Sequence, residues 1–263
     1  MKQSIDFSTV TEVSGYNVTK EQIQRLYSRY RFSAEFCKNK EVLEVACGSG
    51  QGLGYLAKEA KKVIGLDIDK NLLTLAQRHY QGRKNIKFIL SDAQKLPFVD
   101  DSFDVLILHE AIYYLPNPID FINEAKRVLR NQGVIVISTV NKDWSGFNPS
   151  PYSYNYFSCP QLFALLNRSG FTNICIYGNC SIEAKNFKDK IVAFLKKIAV
   201  KFHLIPKTMH GKEFLKRIFF GKLLPMPYEI DDNMVEYIAP ILLSSDFSCY
   251  NYKVLYTVGY NSK

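Results

Sequence analysis

Short apolar runs recur along the first half of the chain, each separated from the next by a stretch of helical period. Glu41–Cys47, Val63–Asp67, Ile86–Leu90, Phe103–Leu108 and Gly133–Val140 are almost wholly apolar, as parallel strands buried on both faces should be. Between them lie Gln51–Ala60, Lys70–Tyr80 and Pro118–Arg130, each with apolar residues at helical spacing. Pro118 sits where a helix starts, because the first turn needs no N–H from it. The alternation predicts an α/β fold with a doubly wound, mostly parallel sheet. A lead-in helix is expected over Thr19–Cys37, where Thr19 and Gln22 have the spacing of a capping box and Ile23, Leu26, Tyr30 and Ala34 share one face.

After residue 140 the pattern changes. Residues 141–157 form a loop rich in aromatic and hydrogen-bonding side chains. Ser158–Ser169 reads as a helix stopped by Gly170, and Phe171–Tyr177 as a strand. Tyr250–Tyr260 is a final strand, expected to pair with 171–177 as a hairpin whose loop has been replaced by an insertion. The expected architecture is therefore a seven-stranded Rossmann-like sheet closed by an antiparallel hairpin. We take the chain as one domain: a lead over 1–38, a core over 40–180 and 247–260, and a basic helical insertion over 181–246.

The chemistry gathers at the first strand–helix turn, VLEVACGSGQGLG (42–54). Glycines there let backbone approach a ligand, and the helix start offers N–H donors to it. Dinucleotide-binding turns share that logic, but their glycines follow the strand directly with no acid before them. Here Glu44 lies within the strand, followed by Ala46, Gly48 and Gly50. Gly52 and Gly54 read as points of close helix packing.

That order resembles motif I of the class I S-adenosylmethionine-dependent methyltransferases, and four further segments resemble the family in register. VIGLDID ends in Asp67, which the resemblance makes the partner of the ribose hydroxyls, with Ile68 packing on the adenine. SDAQKLPF supplies Asp92 and the backbone N–H of Ala93 for the adenine edge. DDSFDVLILHEAIYYL places His109 and Glu110 beside the transferred methyl group. NEAKRVLRNQGVIVIST resembles the following helix and strand. The resemblance implies a methyltransferase with S-adenosylmethionine as cofactor and no metal. Three roles stand open for His109: general base, cofactor neighbour, or a strand-end histidine satisfied by its surroundings. Asp143, His203, His210 and the Tyr113–Tyr114 pair are weaker candidates.

The net charge of +9 is concentrated in one place. Between Ser181 and Leu224 there are eleven Lys or Arg and three acids, leaving +8 there and about +1 elsewhere. Phe187, Ile191, Phe194, Leu195, Ile198 and Phe202 share one face of an expected helix in this stretch. Such a segment suits a lid, a phosphorylated carrier or an anionic membrane surface. Charge alone also admits nucleic acid, but no RNA-binding module accompanies it. The run LIPKTMHGKEFLKRIFFGKL resembles methyltransferases associated with bacterial surface-polysaccharide synthesis.

The expected acceptor is a small molecule, a saccharide or glycan precursor that is nucleotide- or lipid-linked. A quinone or lipid acceptor and a non-catalytic cofactor-binding subunit are the alternatives. The N-terminal stretch lacks a secretory h-region, and no C-x-x-C pair occurs among the six cysteines. A reducing cytoplasm is the expected setting, extending to the inner membrane face.

Overall fold

A computed structural model of the chain describes residues 12–150, 152–182 and 223–263. In order, these form β1 (Asn17–Val18), α1 (Lys20–Ala34), β2 (Glu41–Val45), α2 (Leu53–Glu59), β3 (Lys62–Asp67), α3 (Lys70–His79) and β4 (Ile86–Leu90). Then come β5 (Phe103–His109), α4 (Pro118–Val128), β6 (Leu129–Val140), α5 (Cys159–Arg168), β7 (Phe171–Ser181), β8 (Leu224–Pro225), β9 (Ile241–Leu243) and β10 (Tyr252–Asn261). The expected basic helices fall largely on 183–222, outside the described residues. The described remainder of the insertion, 223–246, is strand and turn rather than helix.

The main sheet runs β4-β3-β2-β5-β6-β10-β7-β9. Strands β4, β3, β2, β5 and β6 are parallel, while β10 runs antiparallel to both β6 and β7. The seven expected strands are therefore present, and the hairpin of β7 with β10 forms as expected. Short β9 adds an eighth at the edge by pairing with β7. Strand β6 starts directly after α4, four residues earlier than its apolar run suggests, because Leu129 is already paired with Phe103.

The predicted starts of α1 and α4 hold, while α2 starts at Leu53, two residues later than expected. Thr19 Oγ1 accepts from Gln22 N, and Gln22 Oε1 accepts from Thr19 N, both at 3.2 Å, closing the capping box. Side chains alternate across the sheet, so each strand feeds two cores. Val42, Val105, Ile107, Val136 and Tyr256 join the core under α1 and α2. Leu43, Leu106, Leu108, Ile135 and Ile137 join the core under α4, with Phe121 and Ile122. Glu44 has the parity of Val42, so it faces the α1 side. All six cysteines carry free thiols. No helix among the described residues is long and apolar enough to cross a membrane.

Two features tie the first turn down. A Cβ on Gly52 would lie 2.0 Å from the Tyr30 ring, so only a glycine at the head of α2 lets α1 come this close. The second is a strap over residues 226–232. Met226 and Ile230 are buried; Met226 exchanges backbone bonds with Gly15 and Tyr16, and Ile230 N donates to Gln51 O at 2.9 Å. Glu229 takes two 2.8 Å bonds from Arg83 and lies where a Cβ on Gly54 would sit. Packing is thus the observed role of Gly52 and Gly54.

Substituting Gly52→Ala should force the Tyr30 ring aside. The expected cost is about 1–3 kcal/mol, as for other overpacked sites, read as a fall in Tm of several degrees. An unchanged melting curve would contradict this account of the α1–α2 contact.

Candidate active site

The parallel strands end together on one side of the sheet. Strand order reverses at β2, whose neighbours β3 and β5 continue the chain in opposite directions across the sheet. That reversal leaves a crevice beyond the carboxyl ends of the strands, the usual ligand position in open α/β sheets. A cavity of about 630 Å³ occupies it. This falls within the range of small-molecule sites, about 300–1,000 Å³.

Glu44, Ala46, Gly48, Asp67, Ile68, Asp92, Ala93, His109 and Glu110 all border this cavity. The sequence reading and the geometry therefore meet at one place. Gly50 stands just behind, in the left-handed region at φ +80°, with Ala76 and Tyr80 packed against it. Ala46 and Gly48 also have positive φ, +56° and +57°, so the chain doubles back sharply after β2. Asp67 fastens that bend. Its Oδ2 accepts from Gly48 N at 2.7 Å and its Oδ1 from Asp69 N at 2.8 Å. Burial raises the Asp67 pKa, and the backbone donors oppose the rise.

Glu44 is the most constrained acid. It is 1 % exposed. Its Oε1 accepts from Tyr30 Oη at 2.5 Å, while its Oε2 has no hydrogen-bond partner among the described residues. Burial pushes its pKa up to about 7; the bond from Tyr30 and the charge of Arg29 oppose the shift, and Asp67 adds to it. A buried carboxylate oxygen without a donor is costly. Glu44 borders the cavity, and a carboxylate with an unpaired oxygen there suits a cationic or N–H-bearing group.

The other end of the crevice is open and flat. Ile68 is 58 % exposed although it follows a buried strand. Asp92 is exposed and caps its own turn by accepting from Gln94 N at 2.8 Å. Ala93 is buried beside it. An apolar side chain, an acid and a backbone turn together suit one face and one edge of a purine. The residues present thus fit the nucleoside and the charged amino-acid portion of S-adenosylmethionine.

His109 lies deeper. Its Nε2 is 3.1 Å from Ser33 Oγ and its Nδ1 is 2.9 Å from Ser138 Oγ. The Tyr30 ring meets it edge-on at 4.9 Å. Burial, then the nearby Arg29 charge, depresses its pKa well below the usual value, so the imidazole is neutral. Whichever nitrogen carries the proton, one serine accepts and the other donates. Glu110 takes the left-handed conformation at φ +52°, which turns it into the cavity. Its Oε2 accepts from Tyr113 Oη at 3.1 Å, and its Oε1 is 3.6 Å from Arg25.

The aromatic loop divides between packing and lining. Tyr156 stacks on Tyr113 at 4.6 Å, and Tyr114 Oη is 2.7 Å from Ser150 Oγ. Tyr154 and Tyr156 border the cavity, whereas Tyr152 is not among its lining residues. Asp143 is not among the cavity residues. His203 and His210 lie outside the described residues.

Sequence reasoning missed Arg25 and Arg29, which line the cavity from α1, and the part that Tyr30 plays as donor to Glu44. Their spacing carries the signal: Arg25 and Arg29 share a face displaced from the apolar one. Gln51 was also missed; its Nε2 donates to Glu12 O and ties the N-terminal lead over the turn.

Residues 43–137 match the family described as a methyltransferase domain. The chain is 28 % identical over 155 residues to a protein of Mycobacterium tuberculosis named a probable S-adenosylmethionine-dependent methyltransferase, covering 57 % of this chain and 55 % of that one. It is 29 % identical over 136 residues to a demethylmenaquinone methyltransferase of Bacillus licheniformis, covering 50 % and 59 %. The chain thus spans little more than half the length of these relatives. In fold it resembles a phosphoethanolamine N-methyltransferase of Haemonchus contortus solved with S-adenosylhomocysteine, at a TM-score of 0.55 and 16 % identity, covering 92 % of this chain and 53 % of that one. The core over residues 43–137 is thus that of a methyltransferase domain. The cofactor that goes with such a core is S-adenosylmethionine.

A cofactor whose ammonium group sits against the Glu44 carboxyl should bind in a pH-dependent manner. The carboxyl's folded pKa of about 7 stands above its ordinary value of 4.5. The protonated side chain therefore favours the free folded protein at acid pH, and that contribution is lost as pH rises through about 7. A cation beside the carboxylate reverses the preference and expels the proton. Binding of S-adenosylhomocysteine should weaken as pH falls from 8 to 6, approaching about tenfold per unit below the pKa. Calorimetry in buffers of differing ionisation enthalpy should show proton release near pH 7 that disappears in Glu44→Gln. Equal proton release by the variant would contradict the assignment.

Proposed function

We propose that the protein transfers a methyl group from S-adenosylmethionine to an oxygen or nitrogen of a small molecule, a saccharide or glycan precursor. The observation that carries this reading is the convergence of Glu44, Asp67 and Asp92 at adjacent strand ends that border one cavity, with Glu44 Oε2 unpaired among the described residues. Intact acids at these positions also argue against a non-catalytic subunit.

The sulfonium supplies an electrophilic methyl group when the cofactor is bound. The protein's own task is then to place an acceptor in line with it, exclude water and receive one proton. In this reading Asp67 and Asp92 hold the nucleoside, and Glu44 holds the ammonium end. Glu110 takes the proton from the acceptor, because it reaches the cavity beside Tyr113. An amine acceptor needs less of this help than a hydroxyl. His109 acts as a positioning residue. Both ring nitrogens are engaged by serines, and its ring supports Tyr30, which holds Glu44.

The saccharide assignment draws on the tyrosine and serine hydroxyls that rim the acceptor end, at Tyr113, Tyr114, Ser150, Tyr154 and Tyr156. Aromatic rings with hydroxyl edges suit polyhydroxyl ligands. A second reading, a quinone or lipid acceptor taken at a membrane surface, is favoured by the exposed Ile241, Leu242 and Phe247 near the sheet edge and by the basic stretch 181–224. Flotation with anionic vesicles separates the two: retention at moderate salt supports the lipid reading, and its absence supports the soluble acceptor.

Asp67→Ala removes both the proposed ribose acceptor and the tie to Gly48. Affinity for S-adenosylmethionine should fall by about a hundredfold, on the order of two charge-assisted hydrogen bonds. Calorimetry checks this. A variant that is folded by circular dichroism and binds as tightly as the native protein would refute the cofactor site.

A further inference from the structure

Arg25 and Arg29 lie one helical turn apart on α1 and both border the cavity. Three arginines away from the cavity are closely satisfied. Arg83 grips Glu229 with two 2.8 Å bonds. Arg127 binds Glu124, Asp100 and the carbonyls of Leu96 and Phe98. Arg130 binds Glu41 at 2.7 Å and Asp104 at 3.0 Å. The two cavity arginines differ. Arg25 approaches Glu110 only to 3.6 Å and makes no hydrogen bond among the described residues. Arg29 reaches Glu12 at 3.4 Å, and its Nε is buried without a partner among the described residues.

They are also the more shielded. Their side chains are 26 % and 12 % exposed, against 46 % for Arg83 and 37 % for Arg130. Burial works against the charge on Arg25, but Glu110 and then Glu12 outweigh it and keep the guanidinium ionised. Two shielded guanidinium groups with most of their fork unused have room for an anion. Their positions divide the work. Arg29 acts on Glu44 and stands over the Tyr30 ring at 5.6 Å, at the cofactor end. Arg25 faces Glu110, at the end where the acceptor enters.

We propose that Arg25 docks an oxyanion, a phosphate or carboxylate, carried by the acceptor, so that the substrate is an anionic small molecule. This rests on the methyltransferase reading of the same cleft. Docking draws the guanidinium away from Glu110 and frees Glu110 Oε1. The acceptor's O–H or N–H proton then passes to that carboxylate. The acceptor lone pair forms the new bond to the methyl carbon, and the electrons of the broken carbon–sulfur bond stay on sulfur. A planar fork suits an oxyanion better than a point charge does, so lysine should replace Arg25 only in part.

The test uses the full-length protein saturated with S-adenosylhomocysteine. Inorganic phosphate, acetate, glucose 6-phosphate and glucose are titrated in turn by calorimetry. An anion should bind and glucose should not, with phosphate against acetate distinguishing the two oxyanions. Arg25→Gln should weaken the anion at least tenfold and Arg25→Lys by less, with S-adenosylhomocysteine affinity unchanged in both. Anion affinity that is the same in Arg25→Gln as in the native protein, or no anion binding at all, overturns the proposal. If S-adenosylhomocysteine itself fails to bind the native protein, the methyltransferase reading falls first, and the two failures are told apart.

Discussion

The site depends on one buried hydrogen bond, from Tyr30 Oη to Glu44 Oε1. A carboxyl group in the middle strand of a sheet is a costly thing to bury. Tyr30 offsets part of that cost, and it does so from a helix that precedes the sheet in sequence. To reach Glu44 its ring must lie flat on the head of α2, where Gly52 leaves room, and edge-on against His109. His109 is in turn held by Ser33 of α1 and Ser138 of β6. One bond therefore sets the position of α1 against three elements of the sheet layer. The same placement brings Arg25 and Arg29 to the cavity wall.

Around that contact the turn is fastened twice more. Asp67 holds the bend from inside through Gly48 N. The strap at 226–232 holds it from outside through Gln51 O, Gly15 and Arg83. A cofactor placed in this crevice meets groups whose positions are already set by packing, so little has to be ordered on binding. Among the described residues that line the crevice, the loosely satisfied groups are Glu44 Oε2, Arg29 Nε and the weakly paired Arg25. In the crevice these are the places where the fold forgoes local satisfaction, and they are the proposed binding positions.

Much of this was legible in the sequence because strand ends carry their own marks. Five apolar runs separated by helical spacing specify a parallel sheet, and Glu44, Asp67, Asp92 and His109 stand at or near the ends of such runs. Backbone geometry then brings them together without further information. The eighth strand was not legible, since Ile241–Leu243 is three residues long and pairs at only one edge. Nor was the strap. Met226 and Ile230 have no periodic neighbours, and what buries them is a surface made by residues some two hundred positions earlier. Arg25 and Arg29 read as solvent-facing on a helix wheel. Their shared face is visible in the spacing, but that it meets a cavity depends on how α1 packs through Tyr30 onto β2 and α2. The same holds for His109, whose three possible roles differ by which groups surround its nitrogens, and those groups come from α1 and β6.

The central claim is that the crevice at the β2 carboxyl end is the S-adenosylmethionine site. The most direct measurement is a crystal structure of the protein grown with S-adenosylhomocysteine. The account predicts the ribose hydroxyls on the Asp67 carboxylate, the adenine against Ile68 and Ala93, and the ammonium group within hydrogen-bonding distance of Glu44 Oε2. A nucleoside bound elsewhere, or a crevice that excludes it while Tyr30 and Glu44 remain in place, would contradict it.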